Sequence, residues 1–210
     1  MMHILQNPTY GEDYKEGYIF FSYTSNDIVS EGIALFQSYE DVLHQPLSHC
    51  GVISGPNMCV EATDPKVMES NFIEKYVNDP HTIVFLRKPK DLTPQGASIV
   101  VSTARQYLGK KYAYLGVVGS ALYVMLTAGY KCFSFLRYFR NPLNPKDQLF
   151  CSELVANALL PVEGKTGCLK YDPTNIYPIT LFDDDTLWSE WDFDIANKKR
   201  ACGRKVVEIK

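Results

Sequence analysis

An α+β fold, with a small antiparallel sheet packed against a helix, is what three stretches of this sequence predict. In residues 149–160, Leu149–Phe150–Cys151–Ser152–Glu153–Leu154–Val155 continues as Ala156–Asn157–Ala158–Leu159–Leu160. Leu154, Val155, Ala158 and Leu159 recur at helical spacing and form a stripe to be buried. Residues 48–54 and 58–63 are two short apolar runs around the turn-like Gly55–Pro56–Asn57, which reads as two strands and a compact connection. Residues 97–108 make an amphipathic helix, with Pro94 suited to its first turn and Gly109 to its end.

The remaining elements follow in order. Residues 1–15 are polar and turn-rich and read as a lead-in, and residues 18–23 as a strand entered through Glu16–Gly17. Residues 28–36 suit a short helix capped by Asn26 or Asp27 and weakened by Gly32. Residues 67–77 fit a helix or a mixed loop, and residues 82–87 fit a strand that Pro89 ends. Residues 112–130 carry no charge over 19 positions, which reaches the length of a membrane span. Three glycines, a serine, a threonine and four tyrosines dilute that run, and Lys131 interrupts it. A buried or groove-lining segment is the favoured reading of residues 112–138, with peripheral membrane or lipid contact as its alternative. Asn141–Pro142–Leu143–Asn144–Pro145 is a loop leading to the Cys151 helix, for which Asp147 or the polar turn before Leu149 is the expected cap. Residues 161–167 read as a turn, and Asp172–Pro173 and Tyr177–Pro178 as an irregular segment. Trp188, Trp191 and Phe193 lie among acidic residues, and residues 205–209 suit an edge strand.

Composition narrows the function. The 210 residues suffice for a well-filled core, and the hydrophobic content of 46% is that of a folded globular chain. A net charge of −3 gives no electrostatic case for nucleic acid, and the basic residues 198–200 and 204–205 read as a solvated tail. The six cysteines include no CxxC pair, and the four histidines show no metal-ligand spacing, so no metal is expected. No basic segment followed by an apolar one opens the chain, and a reduced, cytoplasmic protein is the expectation.

Cys151 at a helix start feels the positive end of the helix, which favours thiolate. Such a nucleophile needs a base within hydrogen-bond reach and a third group to hold that base. The strand spacing supplies both. With a three-residue connection, Ser54 faces Met58 and Gly51 faces Glu61, so His49 and Glu61 become diagonal neighbours on one face. A connection of two or four residues would separate them. The backbone N–H of Cys151, unpaired at the helix start, is a candidate oxyanion donor. Glu153 suits capping or support of a neighbouring group, while His44 and His81 read as surface or structural.

These residues carry a family resemblance. The order of an entry strand, then His49–Cys50–Gly51–Val52–Ile53, then Val60–Glu61–Ala62, then Phe150–Cys151–Ser152–Glu153–Leu154–Val155 resembles the circularly permuted branch of the NlpC/P60 papain-like superfamily. That branch includes YiiX/YaeF-like proteins and, more distantly, the lecithin:retinol acyltransferases. Tyr107–Leu108–Gly109–Lys110–Lys111–Tyr112 is similar to the family's segment ending Gly-x-x-Tyr, which makes Tyr112 a candidate substrate-binding residue near the nucleophile. Tyr18 stands where the family's entry strand usually has aspartate. The resemblance implies a circularly permuted papain-like fold: residues 1–210 form one domain, with a core over about 14–160 and a C-terminal extension. It also implies a Cys151–His49–Glu61 triad without cofactor or metal. The expected activity is that of a thiol hydrolase, an amidase or peptidase, acting through a thioester on an amide or peptide bond of a small-molecule or peptide-like substrate derived from amino acids, cell wall or lipid. The apolar residues 112–139 favour a substrate with an apolar part. A thiol acyltransferase or lipid-acyl hydrolase on the same triad and a noncatalytic binding module stand as alternatives, and the sequence leaves oligomeric state open.

Overall fold

Alternating β-branched and aromatic residues build a sheet whose two faces are both buried. A computed structural model of the chain describes residues 3–4, 8–24, 47–113, 137–141, 144–145, 147–189 and 207–208. The strands are β1 (His3–Ile4), β2 (Ile19–Thr24), β3 (His49–Ile53), β4 (Met58–Ala62), β5 (Val67–Asn71), β6 (Thr82–Arg87), β7 (Lys111–Tyr112), β8 (Gln148–Leu149) and β9 (Val207–Glu208). The α-helices are α1 (Pro94–Arg105), α2 (Cys151–Glu163) and α3 (Pro178–Phe182). Strands β2 to β6 form one antiparallel sheet in the order β5-β4-β3-β2-β6, while β1 pairs with β9 and β7 runs parallel to β8. The fold is thus α+β, with helices packed on an antiparallel sheet.

The register of the central hairpin is the one that the three-residue connection dictates. Gly51 lies opposite Glu61, Val52 opposite Val60 and Ile53 opposite Cys59, and Ser54 N–H donates to the Met58 carbonyl at 2.9 Å. Period-two alternation then sorts the side chains. Ile19, Phe21, Cys50, Val52, Val60, Ala62 and Phe85 join Val100, Val101 and Ala104 of α1 and Leu154, Val155, Ala158 and Leu159 of α2 in the larger core. Phe20, Ile53, Cys59 and Leu86 face the other way and pack with Tyr14, Phe72 and Tyr76. His49 and Glu61 belong to this second face.

Three expectations change. Val67–Asn71 is an edge strand, neither helix nor loop, because the outer edge of β4 has unpaired peptide groups to satisfy. Its Glu69 carboxylate accepts from Ser54 Oγ at 2.6 Å and from Arg105 Nη2 at 2.8 Å, which ties the edge to the hairpin and to the end of α1. The turn expected at residue 161 begins later, since α2 runs to Glu163 with Pro161 inside it. The apolar stripe of α2 carries the helix through the proline, and Gly164 N–H, at φ +65°, closes it on the Leu160 carbonyl. The lead-in is not all irregular either, because His3–Ile4 pairs with Val207–Glu208.

Helix α1 starts as read, with Pro94 in its first turn and the Thr93 side chain accepting from Gly96 N–H at 3.0 Å. The helix expected at residues 28–36 and most of the apolar run at 112–138 lie outside the described residues, as do Cys132, Cys202, Trp191 and Phe193. Among the described residues, no helix is long and apolar enough to cross a membrane.

Candidate active site

Helix α2 begins where an extended segment ends. Leu149 pairs with Tyr112 across β8 and β7, and Ala113 N–H donates to the Leu149 carbonyl at 3.0 Å. Phe150 is still extended at φ −104° and ψ 171°, and Cys151 is the first helical residue. The expected cap at Asp147 is not used, because Phe150 is the capping position and offers no polar side chain. Glu153 replaces it: its carboxylate reaches back to accept from the Phe150 N–H, half of a capping box. Asn144 Nδ2 donates to the same carboxylate at 2.8 Å, and Ser152 Oγ donates to the Ile176 carbonyl at 2.7 Å. The nucleophile candidate therefore stands on a helix start fixed from two sides.

Glu153 is almost fully buried, and burial lifts its pKa to about 7 although Asn144, Arg140 and the Phe150 N–H partly offset that rise. A carboxyl raised in the folded state holds a proton that the unfolded chain releases near pH ~4.3. Its contribution to stability is therefore lost as pH rises from about 4.3 through about 7. Glu153→Gln, which keeps an acceptor for Phe150, is expected to be more stable than the parent by about 1–3 kcal/mol at about pH 8. At about pH 4, where both side chains are neutral, the difference should vanish. Urea unfolding at a series of pH values reads the two curves.

His49, the first residue of β3, is framed by two rings. Gly51 lies opposite Phe20, and the missing side chain leaves room for the Phe20 ring, whose centroid is 5.9 Å from that of His49. Tyr76 stacks on the imidazole at 5.8 Å with an interplanar angle of 16°. His49 Nε2 meets Glu61 Oε2 at 2.9 Å. The Cys151 thiol is the ring's other hydrogen-bonding neighbour. The fully buried Glu61 carboxylate takes two further donors: Lys75 Nζ at 2.7 Å on Oε1, and the Tyr76 hydroxyl on Oε2.

Cys151 touches Cys50 as well as His49. These neighbours leave β3 on opposite faces, and Cys151 itself belongs to the larger core with Cys50. Cys50 does face away from His49, as alternation requires, yet it still reaches the nucleophile candidate.

The charges in this row support one another. The Cys50 thiol donates to Cys151, and together with the hydrogen bond and charge of His49 it outweighs burial and holds the Cys151 pKa well below the ordinary thiol value. Burial opposes a charged ring at His49, but the bonds to Cys151 and then Glu61 raise its pKa to about 9. Burial likewise opposes ionisation of Glu61, and His49 and Lys75 overcome it and hold the carboxyl far below its usual range. Cys50 moves the other way, pushed up by burial and then by Cys151. A low-pKa thiol, a charged imidazole and an anchored carboxylate in one row can support nucleophilic acyl chemistry.

Comparison of the chain with protein-family models, curated proteins and solved structures gives no match. Tyr112 is half-buried against the larger core, and its backbone lies beside Leu149, two residues before Cys151. His81 belongs to the turn before β6, where its N–H donates to Asp79 Oδ1 at 3.0 Å, and His44 lies outside the described residues. Cys50, Cys59, Cys151 and Cys168 are free thiols. Among the described residues, no three His, Cys, Asp or Glu side chains are grouped to hold a metal ion. Sequence reasoning missed the contact of Cys50 with Cys151, and it missed Lys75 and Tyr76 altogether. An alternating strand hides the first, and a segment without helical or strand period hides the second.

Proposed function

We propose that this chain is a cysteine hydrolase of the amidase or peptidase class that works through a thioester on Cys151. One observation carries the reading: His49 is hydrogen-bonded to the Cys151 thiol on one side and to the Glu61 carboxylate on the other. The order of the parts, with the His49 strand before the Cys151 helix, supports a circularly permuted papain-like core of the NlpC/P60 kind.

In this mechanism the Cys151 thiolate attacks the substrate carbonyl, and the carbonyl π electrons move to oxygen. The Cys151 N–H, one of the helix-start donors without an intrahelical acceptor, faces the developing oxyanion. The intermediate collapses to a thioester as the His49 imidazolium gives its proton to the departing amine. Neutral His49 then takes a proton from water, hydroxide adds to the thioester, and the acid leaves as the Cys151 thiolate and the imidazolium are restored. Glu61 keeps the ring oriented through both halves.

The test uses p-nitrophenyl acetate as acyl donor and peptide mass spectrometry as readout. An acetyl group is expected on Cys151 and is then lost to water, with no adduct in Cys151→Ala and a persisting adduct in His49→Ala. Loss of the acetyl group to an added alcohol in preference to water marks the acyltransferase form of the same chemistry. Acetylation spread evenly over Cys50, Cys59, Cys151 and Cys168, or absent, contradicts the reading and favours a binding module.

A further inference from the structure

The turn Ile73–Val77 follows β5 and closes with an i to i+5 bond, Asn78 N–H to the Ile73 carbonyl at 2.9 Å. This π-type winding is wider than an α-turn, is rare, and recurs frequently at functional sites. Here it delivers two consecutive side chains, Lys75 and Tyr76, to one buried carboxylate. We propose that Lys75 and Tyr76 are positioning residues for the His49 base: together they grip Glu61 so that it holds the imidazole without locking the proton on it. This inference rests on the thiol-hydrolase reading for its purpose, though not for its geometry.

Each contact has a distinct part. Lys75 Nζ lies 2.7 Å from Glu61 Oε1, the oxygen that His49 does not use. The Tyr76 hydroxyl donates to Oε2, which it shares with His49 Nε2. The Tyr76 ring also stacks on the imidazole, so one side chain fixes both the carboxylate and the ring it serves. Packing alone explains the buried ring of Tyr76. It does not explain a lysine, 40% exposed, whose ammonium turns inward to a carboxylate with no exposure at all.

The chemistry explains why such a grip is useful. A buried carboxylate against an imidazole favours imidazolium, which suits the step that expels the amine. Thioester hydrolysis needs the opposite, a neutral ring able to accept a proton from water. The groups facing this pair are Cys59 on β4, Lys75 and Tyr76 on the turn, and Cys151 with Cys50 behind it. Lys75 supplies the fixed positive charge, which neutralises part of Glu61 and repels the imidazolium. The Tyr76 hydroxyl lowers the basicity of the oxygen that His49 uses. Both moderate the hold of Glu61 on the proton.

The experiment titrates the His49 imidazole by NMR in the unacylated 210-residue chain, with its signal assigned by its absence in His49→Gln. Lys75→Met removes the charge and keeps the stem, and Tyr76→Phe removes the hydroxyl and keeps the stacked ring. Each is expected to raise the His49 midpoint by about half a pH unit or more, and Lys75→Arg is expected to restore it. Breakdown of the acetyl adduct near pH ~7 should slow several-fold in Lys75→Met as the neutral ring becomes scarcer. If Tyr76→Phe does not fold, the half-exposed Lys75 carries the test by itself. A midpoint that stays in place or falls in Lys75→Met overturns the proposal, as a merely structural ion pair would leave it. The NMR readout needs no turnover, so a raised midpoint without any acyl adduct rejects the hydrolase and keeps the grip. An adduct with an unmoved midpoint does the reverse.

Discussion

Replacing His49 by alanine is expected to slow alkylation of Cys151 at about neutral pH on the order of 100-fold. Two groups hold the Cys151 thiol low: the donating Cys50 thiol and the His49 ring with its positive charge. Removing the ring leaves a nearly fully buried sulfur with one weak neutral donor, and burial then favours the thiol. Glu61→Gln is expected to have the smaller effect, because the amide still orients the ring but no longer favours its charge. In the parent protein Cys151 should label well before Cys50, Cys59 and Cys168, whose thiols burial pushes up. Mass spectrometry of each cysteine-containing peptide after competitive iodoacetamide treatment reads all four. Equal labelling that His49→Ala leaves unchanged would remove the ion pair from the account.

A glycine outside the row should matter nearly as much. A Cβ added at Gly51 would lie 2.5 Å from Phe20 Cε1 and 2.9 Å from the Val60 carbonyl oxygen. The ring can move only by leaving its place against His49, and the carbonyl belongs to the paired backbone of β4. Gly51→Ala is therefore expected to destabilise the protein by about 2–3 kcal/mol, as overpacking of a tight interior does. Because Phe20 frames the imidazole, labelling of Cys151 should also slow in whatever fraction remains folded. Urea unfolding measures the first effect, and the alkylation assay under folding conditions measures the second. A variant as stable as the parent would show that the sheet gives way there at little cost.

Much of this site could be read from spacing. Three residues between the runs at 48–54 and 58–63 set Gly51 opposite Glu61, and period-two alternation then put His49 and Glu61 on one face. Glu153, two positions past Cys151, does cap the helix start, although the part expected of Asp147 falls to it as well. Other features had no local signal. The strand Val67–Asn71 carries Met, Glu, Ser and Asn, and what makes it a strand is the open edge of β4 beside it. Lys75 and Tyr76 sit on a π-type turn, whose winding matches neither of the periods by which helices and strands are recognised. Pro161 argued for an end to α2 that packing of the helix on both β3 and α1 overrides. The contact of Cys50 with Cys151 depends on where a helix start meets the end of a strand, a tertiary fact that neither segment encodes alone.

In the proposed mechanism Cys151 rests as a thiolate beside a charged His49. The most direct measurement is the ultraviolet absorbance of the thiolate, taken as the difference between the parent protein and Cys151→Ser across pH. One thiolate is expected to be present already well below the ordinary thiol range near pH ~8.5, because the Cys50 thiol and the charged His49 ring favour it. A difference signal that appears only as pH passes through that ordinary range would contradict it.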